Sequence, residues 1–389
     1  MLYAGVALAA IFCVPYLVPS KPVISESFMF GYNNRIGVIL LLFFIGVGAI
    51  WTNGLGLKFL PIGTSEKLPR KMLFICLGIT LLLCIGMYVL TAPLGGFSES
   101  AYLLDRISMV AEGKIPYRDF EFPYGAFLLY GPVFLKWMLH VTISNAYYIF
   151  WVFLNFIGVV LLFSIVNRLE YSSKHKRAIF LLFYISLLSG IFTTGLQYAF
   201  FRYPLALFFA LIVHKVFDTG DTRKKLGQAY SLVVVFTCIL FLVSPEIGVA
   251  YAIGSAVFFV AYGRLMKRDG LVAYLGMLLL LIAATYVGNA SGIFTTLKQF
   301  GGGGNNFPII PAPHILMFFF CLLLSACYIV VRFREGGPSD NVSYLIAVSI
   351  PMIPAALGRC DAVHVIDNGL GIMRRIILYF WREARMEMV

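Results

Sequence analysis

Five carboxylates, Glu99, Asp105, Glu112, Asp119 and Glu121, fall within residues 94–125, LGGFSESAYLLDRISMVAEGKIPYRDFEFPYG, beside Arg106, Lys114 and Arg118. Long apolar stretches flank this polar island, and a carboxylate near membrane depth is costly and tends to be kept for function. Such a group can take a proton from a hydroxyl that comes within hydrogen-bond reach. Cations can meet the negative charge that develops on a leaving group, which suits Arg202 in YAFFRYP, Lys114 and Arg118. Glu246 in SPEIG is a natural partner for one of these cations, and GRCDAVH at 358–364 adds Arg359, Asp361 and His364. Plainer roles exist for each. Glu99 suits the positive end of a helix, Arg202 can snorkel toward headgroups, and Arg359 and Asp361 can satisfy one another at a helix end.

The elements that must hold these residues are apolar helices. Of 389 residues 60% are hydrophobic and 12% charged, with a mean hydropathy of +0.89. Apolar windows of about 18 to 22 residues recur, each long enough to cross a hydrocarbon layer of roughly 30 Å. The absence of period-2 alternation argues against a membrane β-barrel. The expected fold is therefore all-α, a polytopic transmembrane bundle forming a single integral membrane domain over 1–389. Eleven spans are expected, near 2–19, 36–52, 72–92, 145–167, 178–195, 199–217, 228–244, 246–263, 271–290, 313–332 and 343–357, with a twelfth apolar stretch at 126–141. The first stretch lacks a basic leader and reads as a retained span rather than a signal peptide.

A net charge of +12 invites a nucleic-acid reading, but its distribution points to a lipid bilayer instead. Lys67/Arg70/Lys71, Lys174/Lys176/Arg177, Arg223/Lys224/Lys225, Arg264/Lys267/Arg268 and Arg332/Arg334 sit in short loops on alternate turns, which the positive-inside bias places in the cytoplasm. Parity then puts the 93–125 loop, Arg202, Glu246, the 291–313 loop and residues 359–364 together outside. One conflict follows. If 126–141 crosses fully, the 93–125 loop and the Lys174 loop cannot both lie as assigned; Pro132 and Lys136 suit a re-entrant or interfacial helix, which resolves it. Within the island, Leu103, Leu104, Ile107, Val110 and Ala111 mark an amphipathic interfacial helix, with Ser98 as its cap and Gly113 as its stop.

The seven cysteines show neither pairing nor metal-ligand spacing, and His314 and His364 are isolated, so neither metal nor cofactor is expected. No GxGxxG or GxxxxGK[ST] pattern occurs. KQFGGGGNNFP at 298–308 could offer backbone N–H groups to a phosphate or sugar, or serve as a plain flexible loop. RRIILYFWREARMEMV, within 370–389, reads as a basic amphipathic segment lying on the membrane surface.

The order of the island, an acidic residue followed by Tyr, a helix ending in Gly, then Pro-Tyr, Arg-Asp-Phe and Phe-Pro-Tyr before an apolar helix, resembles the first external loop of GT-C glycosyltransferases. Protein O-mannosyltransferases and aminoarabinose transferases are among them. The likeness covers roughly residues 72–217, with weaker echoes in SPEIG and ALGRCDAVH. It implies a hexosyl- or pentosyltransferase that moves a sugar from a polyprenyl-phosphate donor to a glycan, lipid or protein acceptor at the outer face. It implies Glu99 as catalytic base, with Asp119 next in line, and Arg202, Lys114 and Arg118 on the donor phosphate; Asp105, Glu121, Glu246, Arg359, Asp361 and His364 are further candidates. The family often carries an Asp-Glu pair where Ser98 and Ser100 here flank a lone Glu. GT-C enzymes often continue beyond this length, so the likeness implies a short member or a truncated one. The expected home is a bacterial inner membrane with the site outward, or the endoplasmic reticulum in a eukaryote. Competing readings are a transporter or flippase, a surface-polysaccharide polymerase or ligase using a lipid pyrophosphate, and a structural membrane subunit.

Overall fold

A computed structural model describes residues 2–18, 31–53, 66–169, 172–218, 222–265, 270–296, 307–334, 341–360, 362–369 and 372. Among them the chain is a bundle of α-helices without named strands. In chain order these are α1 (Leu2–Leu17), α2 (Asn34–Asn53), α3 (Arg70–Thr91), α4 (Glu99–Ala111), α5 (Phe127–Leu139), α6 (Ile143–Asn167), α7 (Ser173–Thr194), α8 (Ala199–Asp218), α9 (Thr222–Val243), α10 (Pro245–Leu265), α11 (Gly270–Ser291), α12 (Pro313–Arg334), α13 (Asn341–Ser349), α14 (Ile353–Arg359) and α15 (Ala362–Asn368). Among the described residues seven helical stretches are long and apolar enough to cross a membrane, and five shorter apolar helices accompany them. These twelve coincide with the apolar stretches marked in the sequence, and the chain is an integral membrane protein. The span expected at 343–357 is divided into α13 and α14 by a 3₁₀ turn, Ile350–Met352, because Pro351 and Pro354 lack the N–H groups a continuous helix requires.

The direction of each helix follows from what its ends touch. Tyr88 at the close of α3 donates to Asn145 Oδ1 (3.1 Å), and Thr91 Oγ1 lies 2.6 Å from Tyr148 OH, both at the start of α6. At the other ends of the same helices the Leu68 N–H reaches Asn167 Oδ1 (2.9 Å). So α3 and α6 are antiparallel neighbours, and the chain leaves and re-enters at one end of the bundle. The intervening α5 has 13 residues, about 20 Å at roughly 1.5 Å per residue and short of a 30 Å hydrocarbon core. It does not cross, and the topological conflict disappears.

Basic residues gather at the opposite end. Glu66 Oε2 accepts the Ser173 N–H (2.7 Å), and the Lys176 ammonium donates to the carbonyls of Glu66 and Asn167 (2.8 Å to the latter). This brings the Lys67/Arg70/Lys71 and Lys174/Lys176/Arg177 loops together, as the charge pattern required. The side chains of Arg223, Lys224, Arg264, Lys267 and Arg268 lie outside the described residues, as do most of 298–308 and nearly all of 370–389.

Candidate active site at the loop end of the bundle

Helix α4 forms because its apolar residues fall on one stripe: Leu103, Ile107 and Val110 are buried, while Asp105 and Glu112 face outward. Its C-terminus is closed as expected. Gly113 adopts φ 91°, its N–H meets the Val110 carbonyl (3.0 Å) and the Lys114 N–H meets that of Met109 (3.0 Å), the paired bonds of a Schellman stop. The start differs from the expectation. Ser98 makes no side-chain cap; it takes φ 51° and pairs as a bridge with Gly195, where α7 gives way to α8. A β-carbon at Gly195 would come 2.6 Å from the Phe97 carbonyl oxygen, so only glycine lets the two backbones meet. This bridge sets Glu99 beside the entry to α8.

A second pin fixes the far side of the loop. The Gly125 N–H donates to the Val243 carbonyl (3.0 Å), and a β-carbon at Gly125 would stand 2.1 Å from the Leu242 oxygen. Tyr124 is thereby held against the junction of α9 and α10, where Ser244 and Glu246 follow. The Tyr117 hydroxyl also donates to the Tyr124 carbonyl.

Four chain segments therefore meet around Tyr124. Its hydroxyl donates to Glu99 Oε2 (2.7 Å), and its ring lies 4.4 Å beneath the Arg202 guanidinium. Arg202, 4% exposed, donates through Nη2 to Ser244 Oγ (2.8 Å) and Glu246 Oε1 (2.7 Å). Burial and the Glu99 carboxylate hold the Tyr124 phenol well above its ordinary range, so at neutral pH it keeps its proton and remains a donor. Two groups are left over: Arg202 Nε–H and the buried Tyr198 hydroxyl, one turn before it, have no partner among the described residues. A buried donor without an acceptor is costly.

The sequence candidates thus divide. Glu99, Arg202 and Glu246 come together, and the pairing of Glu246 with a cation is realised with Arg202. Asp119 belongs to a separate contact. Arg118 grips both its oxygens (2.9 Å each) and the Ile115 N–H donates to Oδ2 (2.8 Å), holding its carboxyl at about 2, below the ordinary 3.8. A carboxylate so stabilised is a weak proton acceptor. Lys114 stands 4.0 Å from Glu112 and Asp105 3.7 Å from Arg106, both on exposed surface, and Glu121 is exposed. Asp361 and the side chain of Arg359 lie outside the described residues. His364 is half-buried in α15. The neighbouring 358–360 segment is tied toward α12 and α2: the Phe307 N–H meets the Gly358 carbonyl (3.0 Å), Asn34 Nδ2 meets the Phe307 carbonyl (2.8 Å), and His314 Nε2 lies 2.8 Å from the Cys360 carbonyl.

Sequence reasoning assigned no part to Tyr124, Ser244 or Tyr198. Tyr124 stood in the Phe-Pro-Tyr motif and Ser244 in SPEIG, but only the two glycine-mediated contacts bring them to Glu99 and Arg202. No group of three or more His, Cys, Asp or Glu side chains is placed for a metal ion among the described residues. No family model, curated protein or solved structure matches this chain.

Proposed function

We propose that this protein is a membrane glycosyltransferase of GT-C type, transferring a sugar from a polyprenyl-phosphate donor to an acceptor hydroxyl. The observation that carries the reading is the union of Glu99, Arg202 and Tyr124 in one cluster at the end of the bundle opposite the basic loops. A carboxylate and a buried guanidinium held together there supply the two parts the reaction needs. Glu99 takes the proton of the acceptor hydroxyl as its oxygen bonds to the anomeric carbon. The bond from that carbon to the phosphate oxygen breaks, and the lipid phosphate leaves with both electrons of that bond, its added charge met by Arg202 Nε–H and the Tyr198 hydroxyl. Glu246 and Ser244 hold the guanidinium in place during this exchange. The clustering of Lys67, Arg70, Lys71, Lys174, Lys176 and Arg177 at the far end supports a site facing away from the cytoplasm, whether in a bacterial inner membrane or the endoplasmic reticulum.

The test is sugar release from labelled polyprenyl-phosphate mannose, glucose and arabinose by purified protein in lipid, with Glu99→Gln alongside. Turnover that disappears in the variant while donor remains bound supports the reading and its base. Turnover indifferent to the change removes Glu99 from the chemistry. A folded protein inert toward every donor turns the reading toward a transporter or a pyrophosphate-dependent polymerase.

A further inference from the structure

Tyr124 touches both groups that carry the proposed transfer, and it is itself firmly held. Its carbonyl accepts from the Tyr117 hydroxyl, and the next residue, Gly125, is bonded to the Val243 carbonyl (3.0 Å). The fully buried Phe122 meets its ring edge to face, with 5.5 Å between centroids and 83° between planes. A tyrosine has few torsions to fix, so a ring so placed is a rigid support.

Glu99 is the opposite case. It is the first residue of α4, is half-buried, and follows a serine that makes no side-chain cap. The N–H groups that open a helix carry partial positive charge and draw a carboxylate back onto the helix end, where its lone pairs are taken. The Tyr124 hydroxyl opposes that collapse by donating to Oε2 at 2.7 Å, a charge-assisted bond. Oε1 makes no hydrogen bond among the described residues, which leaves it for an acceptor proton. The ring of the same tyrosine lies 4.4 Å from the Arg202 guanidinium. An aromatic face attracts a cation, so the ring is a floor that keeps Arg202 beside Ser244 and Glu246.

We infer that Tyr124 is a positioning residue for both halves of the transfer, its hydroxyl holding Glu99 off the N-terminus of α4 and its ring seating the Arg202 guanidinium. This role rests on the transferase reading of the cluster. The acceptor proton passes to Glu99 Oε1, and the Tyr124 O–H is neither given up nor replaced.

Steady-state kinetics of the full chain in lipid, with the labelled polyprenyl-phosphate sugar it turns over, test the role. Tyr124→Phe keeps the ring and loses only the hydroxyl; kcat should fall about thirtyfold, the worth of a hydrogen bond to a charged group, with donor KM within about twofold of wild type. Tyr124→Leu removes the ring as well, and donor KM should then rise about fivefold, the worth of one cation–π contact. In a Glu99→Gln background, Tyr124→Phe should cost the residual turnover nothing further, because the hydroxyl acts through that carboxylate. Wild-type turnover that Tyr124→Phe leaves unchanged overturns the role and spares the transferase reading. A loss of equal size with and without Glu99, or a rise in peptide hydrogen exchange over 115–125 in Tyr124→Phe, also overturns it and makes the hydroxyl a support of the loop. Wild type inert toward every donor removes the transferase reading, and this role with it.

Discussion

Each end of the bundle buries a cation, and the two are treated differently. Lys176 is inaccessible and donates to the carbonyls of Glu66 and Asn167, the latter closing α6. A cation at the C-terminal end of a helix, satisfied by main-chain oxygens, is a fastener. Arg202 is nearly as buried, yet its partners are side chains from distant segments, Glu246, Ser244 and the Tyr124 ring, and its Nε–H is left without one among the described residues. Main-chain partners suit a structural part, whereas the side chains around Arg202 tie it to Tyr124 and so to Glu99.

That contrast can be broken by experiment. The largest effect is expected from Glu99→Gln, which should lower turnover about a thousandfold with donor binding kept, the usual scale for losing a general base. Arg202→Met should cost about a hundredfold in turnover and weaken donor binding as well, measured by labelled-donor retention. Gly125→Ala should approach the same loss although it removes no functional group, because an ångström-scale shift of Tyr124 and Glu99 costs about that much; the loop's peptide hydrogen exchange should rise while the bundle's is unchanged. Lys176→Met should instead lower the unfolding free energy by about 2 kcal/mol, the cost of buried carbonyls left bare, with turnover preserved in the folded fraction. Turnover abolished by Lys176→Met and spared by Arg202→Met would reverse the roles of the two ends. The smallest effect concerns Asp119. Its carboxyl is depressed from 3.8 to about 2 by Arg118 and the Ile115 N–H, so its contribution is present above pH 3.8 and is lost as pH falls toward 2. Loop order, followed by exchange at residues 115–119, should decline over that window in wild type and not in Asp119→Asn.

The helices were legible because each apolar segment is long and bounded by charge or proline, and hydropathy records both. The island was conspicuous for the same reason: carboxylates are rare in this composition. Its internal order was less so. Glu99 and Asp119 look alike in sequence, and only the Arg118 grip separates a carboxylate already engaged from one held in the cluster. Ser98 has the chemistry of a helix cap, but the backbone bridge to Gly195 claims its conformation first. Tyr124 was invisible as a site residue because its position depends on glycines at 125 and 195, whose contacts lie with residues about 120 and 100 positions away. Local pattern carries no record of such meetings.

The shortness of α5 has a bearing on how the protein is made. A 13-residue segment interrupted by Pro132 and carrying Lys136 offers the insertion machinery too little hydrocarbon to be threaded across. It therefore waits on one side as the chain emerges, and its place against α6 becomes available only after that longer helix has been inserted. The Gly125 contact needs still more of the chain, since Val243 is synthesised over a hundred residues later. Assembly of the cluster around Tyr124 is thus a late event in biogenesis, dependent on the chain as far as the start of α10, and a ribosome stalled before α9 would leave a membrane-embedded product with its earlier helices seated and the cluster unformed.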